Sequence, residues 1–245
     1  NHSIIKERKN NFAINRRSME VRNNLMEQLT FKFPFKTKYF EHDFYVSSSN
    51  FSAYKLIESW PNWTGNWLNV FGTNGSGKTH LSKILEKKIK KVNIMNENEI
   101  NDETIQIFNN FDCLIIDNFE NKIDEKLLFA ILNYSKQYEK YIVINSTQPV
   151  KDVNFKLKDL KSRINSFIFI GIDLPTDDLL QVIISKSFSD KQISINPKVS
   201  EFIINNVDRS YEKIFKFLKD VDDLSLSSGK SININLIKKV LEKNE

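Results

Sequence analysis

Two short stretches hold residue types that could do chemistry together. The first, GTNGSGKT (72–79), fits the pattern G-x-x-x-x-G-K-[ST]. Gly72, Gly75 and Gly77 let backbone N–H groups turn inward around phosphate oxygens, with Thr73, Asn74 and Ser76 completing the loop. Lys78 then reaches the β- and γ-phosphates, and Thr79 offers its hydroxyl to Mg²⁺. The second stretch is CLIIDNFE (113–120), where Cys113, Leu114, Ile115 and Ile116 run as a buried strand into Asp117. A carboxylate at such a strand end is placed to complete the magnesium site. The pair implies ADP or ATP and Mg²⁺ as ligands. Asn118 comes next, where many such sites carry a second acid that polarises the attacking water. An amide has no useful basicity, so this site is expected to bind nucleotide well and hydrolyse it slowly.

A second signal is the use of arginine. Beyond Arg22 the chain has only Arg163 and Arg209, among many lysines. A retained arginine suits a planar, always-charged fork. Arg163 lies in LKDLKSRI (157–164) and is either a surface ion-pair partner or an arginine finger that reaches a nucleotide on a neighbouring molecule. Arg209 reads as a surface or capping residue.

The elements that must position these residues follow from periodicity. Strand NWLNVFG (66–72) leads through the glycine loop into helix THLSKILEKKIKK (79–91), whose Leu81, Ile84, Leu85 and Ile89 share a face. The helix N-terminus adds its positive dipole end to the phosphate site, next to His80. VNIMN (92–96), DCLIID (112–117), YIVINS (141–146) and FIFIGI (167–172) are further strands. Helices are predicted at 51–60, at 101–110 and from an Asp124 cap to about 136. Near-continuous apolar strands alternating with helices predict an α/β fold, a parallel sheet with helices on both faces. After Pro175 the pattern becomes four amphipathic helices, at 176–188, 196–207, 210–224 and 233–244. The expected organisation is a disordered basic arm (1–27), a short apolar-alternating peptide (28–35), a nucleotide-binding α/β domain (40–174) and a helical domain (175–245).

Bulk properties narrow the class. The 245 residues can bury a sizeable core. The formal charge of +5 is concentrated in the first 25 residues, where Lys6, Arg8, Lys9, Arg16, Arg17 and Arg22 face only Glu7 and Glu20. The remaining body is nearly neutral, which argues against a direct duplex-DNA binder. Met19 and Met26 are alternative starts, so the basic arm is either untranslated or a disordered tail, with an organelle-targeting arm as the other reading. No apolar run is long enough to span a membrane, and no compact leader is evident. A single cysteine excludes a disulfide framework and suits a reducing, cytoplasmic compartment.

The glycine loop, CLIIDN, INSTQP (144–149), LKSR (160–163) and the helical tail together resemble the AAA+ module of the bacterial initiator DnaA, and still more its shorter Hda-type relatives. QLTFKF (28–33) is similar to the clamp-binding peptide of those relatives. DFYVSSSN (43–50) and WPNW (60–63) resemble the stretches before their glycine loop. The resemblance covers about 28–245. It implies a P-loop AAA+ sheet domain followed by a helical lid, in a chain that stops at its lid rather than continuing into a DNA-binding domain.

The implied function is regulatory. Such proteins sit on the DNA-loaded sliding clamp and make ATP-bound DnaA hydrolyse its nucleotide, which restrains replication initiation. The implied partners are the clamp and DnaA, with DNA met only through the clamp, no membrane contact, and self-association left open. Arg163 matches the finger that acts in trans, Thr147 the first sensor, and Phe44, Tyr45 and Val46 the stretch flanking adenine. In the peptide, Gln28 would anchor through its amide while Leu29, Phe31 and Phe33 fill an apolar groove; read without the resemblance, the same residues suit a first strand or a tail packed on its own domain. The lid arginine of relatives aligns near Glu212, beside Lys213. That implies a diphosphate-holding state, or an alignment displaced by one residue. Competing readings are a helicase-loader-type ATPase and a nucleotide-locked adaptor.

The Asn118 reading has a direct consequence. The isolated protein is expected to turn ATP over well below about 1 s⁻¹, the lower end of ordinary enzymes. Steady-state phosphate release checks this, and turnover above that rate contradicts it.

Overall fold

Five strands, β1 (Trp67–Phe71), β2 (Val92–Asn96), β3 (Cys113–Phe119), β4 (Tyr141–Ser146) and β5 (Ile168–Gly171), form one sheet in the order β2-β3-β4-β1-β5. Every pairing is parallel, as uninterrupted apolar strands require. The structure is a computed structural model, and it describes residues 44–244. These residues fall within one compact unit, Tyr39–Glu245. The 28–33 peptide, with Gln28, Leu29, Phe31 and Phe33, lies outside the described residues.

Alternation along the strands sends side chains to two faces. On one face Cys113, Ile115 and Val143 pack against helices α1 (Phe51–Glu58) and α2 (Lys78–Lys88), through Ala53, Ile57, Leu81, Ile84 and Leu85. On the other face Leu114, Ile116, Ile142 and Ile144 meet three helices, α3 (Thr104–Phe108), α4 (Glu125–Gln137) and α5 (Lys158–Ile164). Their contact residues there include Phe108, Leu128, Ile131, Leu132, Leu160 and Ile164. Asp124 caps α4 as expected, accepting from Lys126 N at 3.0 Å and Leu127 N at 3.1 Å. Helix α5 was not predicted: with only Leu160 and Ile164 facing inward, seven residues give too little periodicity to read.

After β5 come α6 (Asp177–Ser189), α7 (Pro197–Asn206), α8 (Tyr211–Ser228) and α9 (Ile234–Asn244). They share a third core built from Leu180, Ile184, Ile203, Ile214, Phe217, Val221 and Ile237 among others. Among the described residues no helix is long and apolar enough to cross a membrane.

One buried polar residue ties the centre of the sheet together. Asn69 on β1 is fully buried, donates to Ile144 O at 2.8 Å and Ser146 Oγ at 2.9 Å, and accepts from Val150 N at 3.0 Å. It thereby fixes the point where the chain leaves β4. Replacing it with Ala would leave the Val150 N–H and the Ser146 hydroxyl short of partners. Asn69→Ala is therefore expected to lower stability by about 2–4 kcal/mol in a reversible urea titration. A loss below about 0.5 kcal/mol would contradict the role given to this network.

Candidate nucleotide site

The glycine loop occupies the turn between the end of β1 and the start of α2. Gly75 and Gly77 have φ of 81° and 99°, backbone that L side chains rarely adopt. Space forbids a side chain too. A Cβ on Gly77 would lie 3.0 Å from the Phe44 ring, and one on Gly75 would lie 3.1 Å from Tyr211 Cβ and 3.2 Å from the Phe215 ring. No side chain caps α2, and no acid sits in its first turn, so its positive end is open to an anion.

Lys78 is buried and donates to Gly72 O at 2.6 Å and Thr73 O at 3.0 Å. Burial pushes its pKa below the usual lysine value, and the Asp117 charge partly restores it. Thr79 donates its hydroxyl to Asp117 Oδ2 at 2.8 Å, so the two residues expected to hold magnesium stand together. The other carboxylate oxygen accepts from Asn118 N at 3.1 Å and from Asn145 Nδ2 at 2.9 Å. Asn145 Nδ2 also donates to Ser82 Oγ at 2.8 Å.

Two buried oxygens here, Ser76 Oγ and Asn145 Oδ1, have no hydrogen-bond partner among the described residues. Buried polar atoms are normally satisfied, so these fit a site that is completed by a polyphosphate and its waters. Among the described residues no group of three or more His, Cys, Asp or Glu could hold a metal alone. Thr79 and Asp117 fit Mg²⁺, which takes few protein ligands and fills its shell from phosphate and water. Held by Thr79 and Asp117, it would supply positive charge to offset that of the phosphates.

Phe44 lies against Gly77 and packs on the rings of His80, at 5.2 Å, and Tyr54, at 5.9 Å. Tyr45 is exposed and Val46 partly so. Thr147 is exposed just past β4; the β4 residue brought to Asp117 is Asn145. The signal for it was a polar residue inside an otherwise apolar strand. Asn118 sits at a break in the β3–β4 register, with φ of 55° and its side chain exposed.

The helices after β5 close on the loop from above. Tyr211, at the start of α8, is buried, and its hydroxyl donates to Asp173 O at 3.3 Å. Burial raises its pKa, against a hydrogen bond to Ser49 that lowers it. Asp173 N in turn donates to Ser49 O at 2.9 Å. The lid, the chain before it and the 44–50 loop are thus tied at one point. Two lid cations near the start of this helix are engaged elsewhere. Lys213 pairs with Asp208, and Arg209 pairs with Asp177 at 2.9 Å. Glu212 is exposed in the first turn of α8.

Arg163 stands apart from this site. Its helix, α5, covers the face of the sheet opposite α2. It also lies just before β5 begins, whereas the glycine loop follows the end of β1, which is parallel to β5. Its Nε donates to Asn133 Oδ1 on α4 at 3.1 Å.

A parallel sheet of this order, a glycine loop at the end of β1, a strand-end carboxylate on β3 and a helical lid define the class: a P-loop fold of AAA+ architecture. Residues 177–241 match the family model described as "Hda, lid domain". The chain is 27% identical over 233 residues to the chromosomal replication initiator protein DnaA of Buchnera aphidicola subsp. Cinara cedri, covering 84% of this chain and 53% of that protein. It is 30% identical over 185 residues to DnaA of Chlorobaculum tepidum, covering 66% of this chain and 37% of that one. Among solved structures, domain III of Thermotoga maritima DnaA matches with a TM-score of 0.71 at 19% identity, covering 86% of this chain and 98% of that chain. AMPPCP-bound DnaA from Aquifex aeolicus matches with a TM-score of 0.63 at 20% identity, covering 80% and 68%. At those identities the structural likeness establishes the fold. The chain is thus similar to DnaA over most of its described length, and its residues 177–241 match an Hda-type lid. It spans about half or less of the length of these two DnaA relatives.

Lys78 gives this site a test with two readouts. Lys78→Ala should weaken ADP and ATP binding by at least about 100-fold, because a buried phosphate charge loses its partner. The same change should leave the nucleotide-free melting temperature unchanged or higher, since burial makes the charged lysine a cost to the apo fold. With a folded pKa below the unfolded value, that cost is fully present below the folded pKa and disappears as pH rises past the usual lysine value. Isothermal titration and thermal melting check the two halves. Unchanged affinity would contradict the assignment.

Proposed function

We propose that this protein binds an adenine nucleotide, docks on the DNA-loaded sliding clamp through residues 28–33, and stimulates ATP hydrolysis by DnaA through Arg163. The observation that carries this reading is the separation of Arg163 from its own phosphate loop. A cation on the far face of the sheet and beside the strand starts is badly placed for the chain's own nucleotide. It is well placed for a nucleotide held by a neighbour. An arginine supplied in trans can raise phosphoryl-transfer rates by about 10³–10⁵.

The rest of the site fits the same division of labour. With Asn118 after Asp117, the local site has no carboxylate there to activate water. Its bound nucleotide instead acts as a joint. The lid residues Tyr211 and Phe215 pack directly on Gly75 of the glycine loop, so a nucleotide held by that loop bears on the lid angle. Asn145 within β4 and Thr147 just past it stand at the strand end that senses this occupancy. Phe44, Tyr45 and Val46 form the base-binding edge, and DNA is met through the clamp alone. The result is a brake on replication initiation, acting in the cytoplasm at the nucleoid.

Two variants separate the two contacts. Gln28→Ala with Leu29→Ala should abolish clamp binding in a pull-down and leave nucleotide binding intact. Arg163→Ala should retain clamp binding yet fail to accelerate hydrolysis of ATP pre-bound to DnaA on clamp-loaded DNA. Full acceleration by Arg163→Ala contradicts the finger, and unchanged clamp binding by the double variant contradicts the peptide.

A further inference from the structure

We propose that Asn133 is the positioning residue for Arg163, chosen as a neutral acceptor that orients the guanidinium without neutralising it. This rests on the finger reading above and extends it to a second residue on another helix.

The guanidinium has five N–H groups in a rigid plane, one on Nε and four on the terminal nitrogens. Arg163 uses Nε toward Asn133 Oδ1, at 3.1 Å and partly buried. One bond at Nε fixes the plane at its root. It leaves the end-on edge, formed by both terminal nitrogens, for two oxygens of a phosphate.

The choice of partner matters as much as its position. Asp159 lies four residues before Arg163 on the same helix, the spacing of a helical ion pair. Among the described residues Arg163 nevertheless makes no ion pair. The other acid at this helix interface, Glu125, is committed to backbone. Its two oxygens accept from Lys156 N at 3.0 Å and Leu157 N at 2.7 Å. Helix α4 therefore holds α5 at both ends, with a carboxylate at its start and an amide at Arg163. A carboxylate at position 133 would hold the arginine more strongly. It would also cancel much of the charge that a phosphoryl transition state needs. An ordinary surface arginine gains nothing from that restraint, whereas a finger does.

The test uses the full chain, DnaA pre-loaded with labelled ATP, and clamp-loaded DNA. The variants are Asn133→Ala, Asn133→Asp, Asn133→Ser, Arg163→Ala and the double Asn133→Ala/Arg163→Ala. Thermal melting and clamp binding are recorded for each, and Asn133→Ser stands in if the Ala variant does not fold. Asn133→Ala should lower the maximal stimulated rate about five- to tenfold, the rate equivalent of one orienting hydrogen bond, at an unchanged concentration for half-stimulation. Asn133→Asp should fold at least as well and still lose rate. The double variant should match Arg163→Ala, because an orienter has no effect once its arginine is gone.

Full stimulation by Asn133→Ala beside a dead Arg163→Ala would overturn the proposal and leave the finger standing. Full stimulation by Asn133→Asp would overturn the neutral-partner argument. Full stimulation by Arg163→Ala would overturn the finger, and this proposal with it.

Discussion

The carboxylate of Asp117 is the point on which the site depends. Three donors from three segments converge on it: the Thr79 hydroxyl from α2, the Asn145 amide from β4, and the N–H of Asn118 beyond it. A buried carboxylate is tolerated only when its lone pairs are filled, so each donor is held in place by the cost of leaving it. Strand order makes the convergence possible. With β4 between β1 and β3, Asn145 can touch both Asp117 and Ser82 of α2. The same central position lets Asn69 on β1 fix the chain as it leaves β4.

A second consequence follows from the two faces of the sheet. The glycine loop lies at the end of β1 and leads into α2, on one face of the sheet, and the helix of Arg163 packs on the other. The lid is the element that abuts the glycine loop. Gly75 has no room for a side chain because Tyr211 and Phe215 of α8 already fill that space. Tyr211 also holds Asp173, at the entry to the lid. The first turn of α8 therefore sits directly on the glycine loop. On the proposed reading, a nucleotide held there sets the shape of the chain, and its hydrolysis is secondary.

Much of this was legible in the sequence, and the residues show why. GTNGSGKT could be read because the left-handed backbone at Gly75 and Gly77 admits few other residues. The strands could be read because burial on both faces leaves unbroken apolar runs, and β2 and β4 fall where expected, at 92–96 and 141–146. Asn145 could not be singled out because alternation within a strand does not say which polar side chain finds a partner. Only the placement of β4 next to β3 does. Asn133 was invisible for the same reason, since its partner is 30 residues away on another helix. Helix α5 was too short to show a period. Arg163 was picked out by composition and by the resemblance carried by LKSR, and its fold context adds what neither could: the face it occupies.

The most direct test of the central claim is to ask whose ATP is hydrolysed. DnaA would be loaded with ATP carrying a labelled γ-phosphate, this protein with unlabelled nucleotide, and the two mixed on clamp-loaded DNA in a single-turnover experiment. The labels would then be exchanged. Catalysis in trans predicts fast release of phosphate from the DnaA-bound ATP and slow release from this protein's own site. Fast release from its own site, with the DnaA-bound ATP intact, would contradict the account.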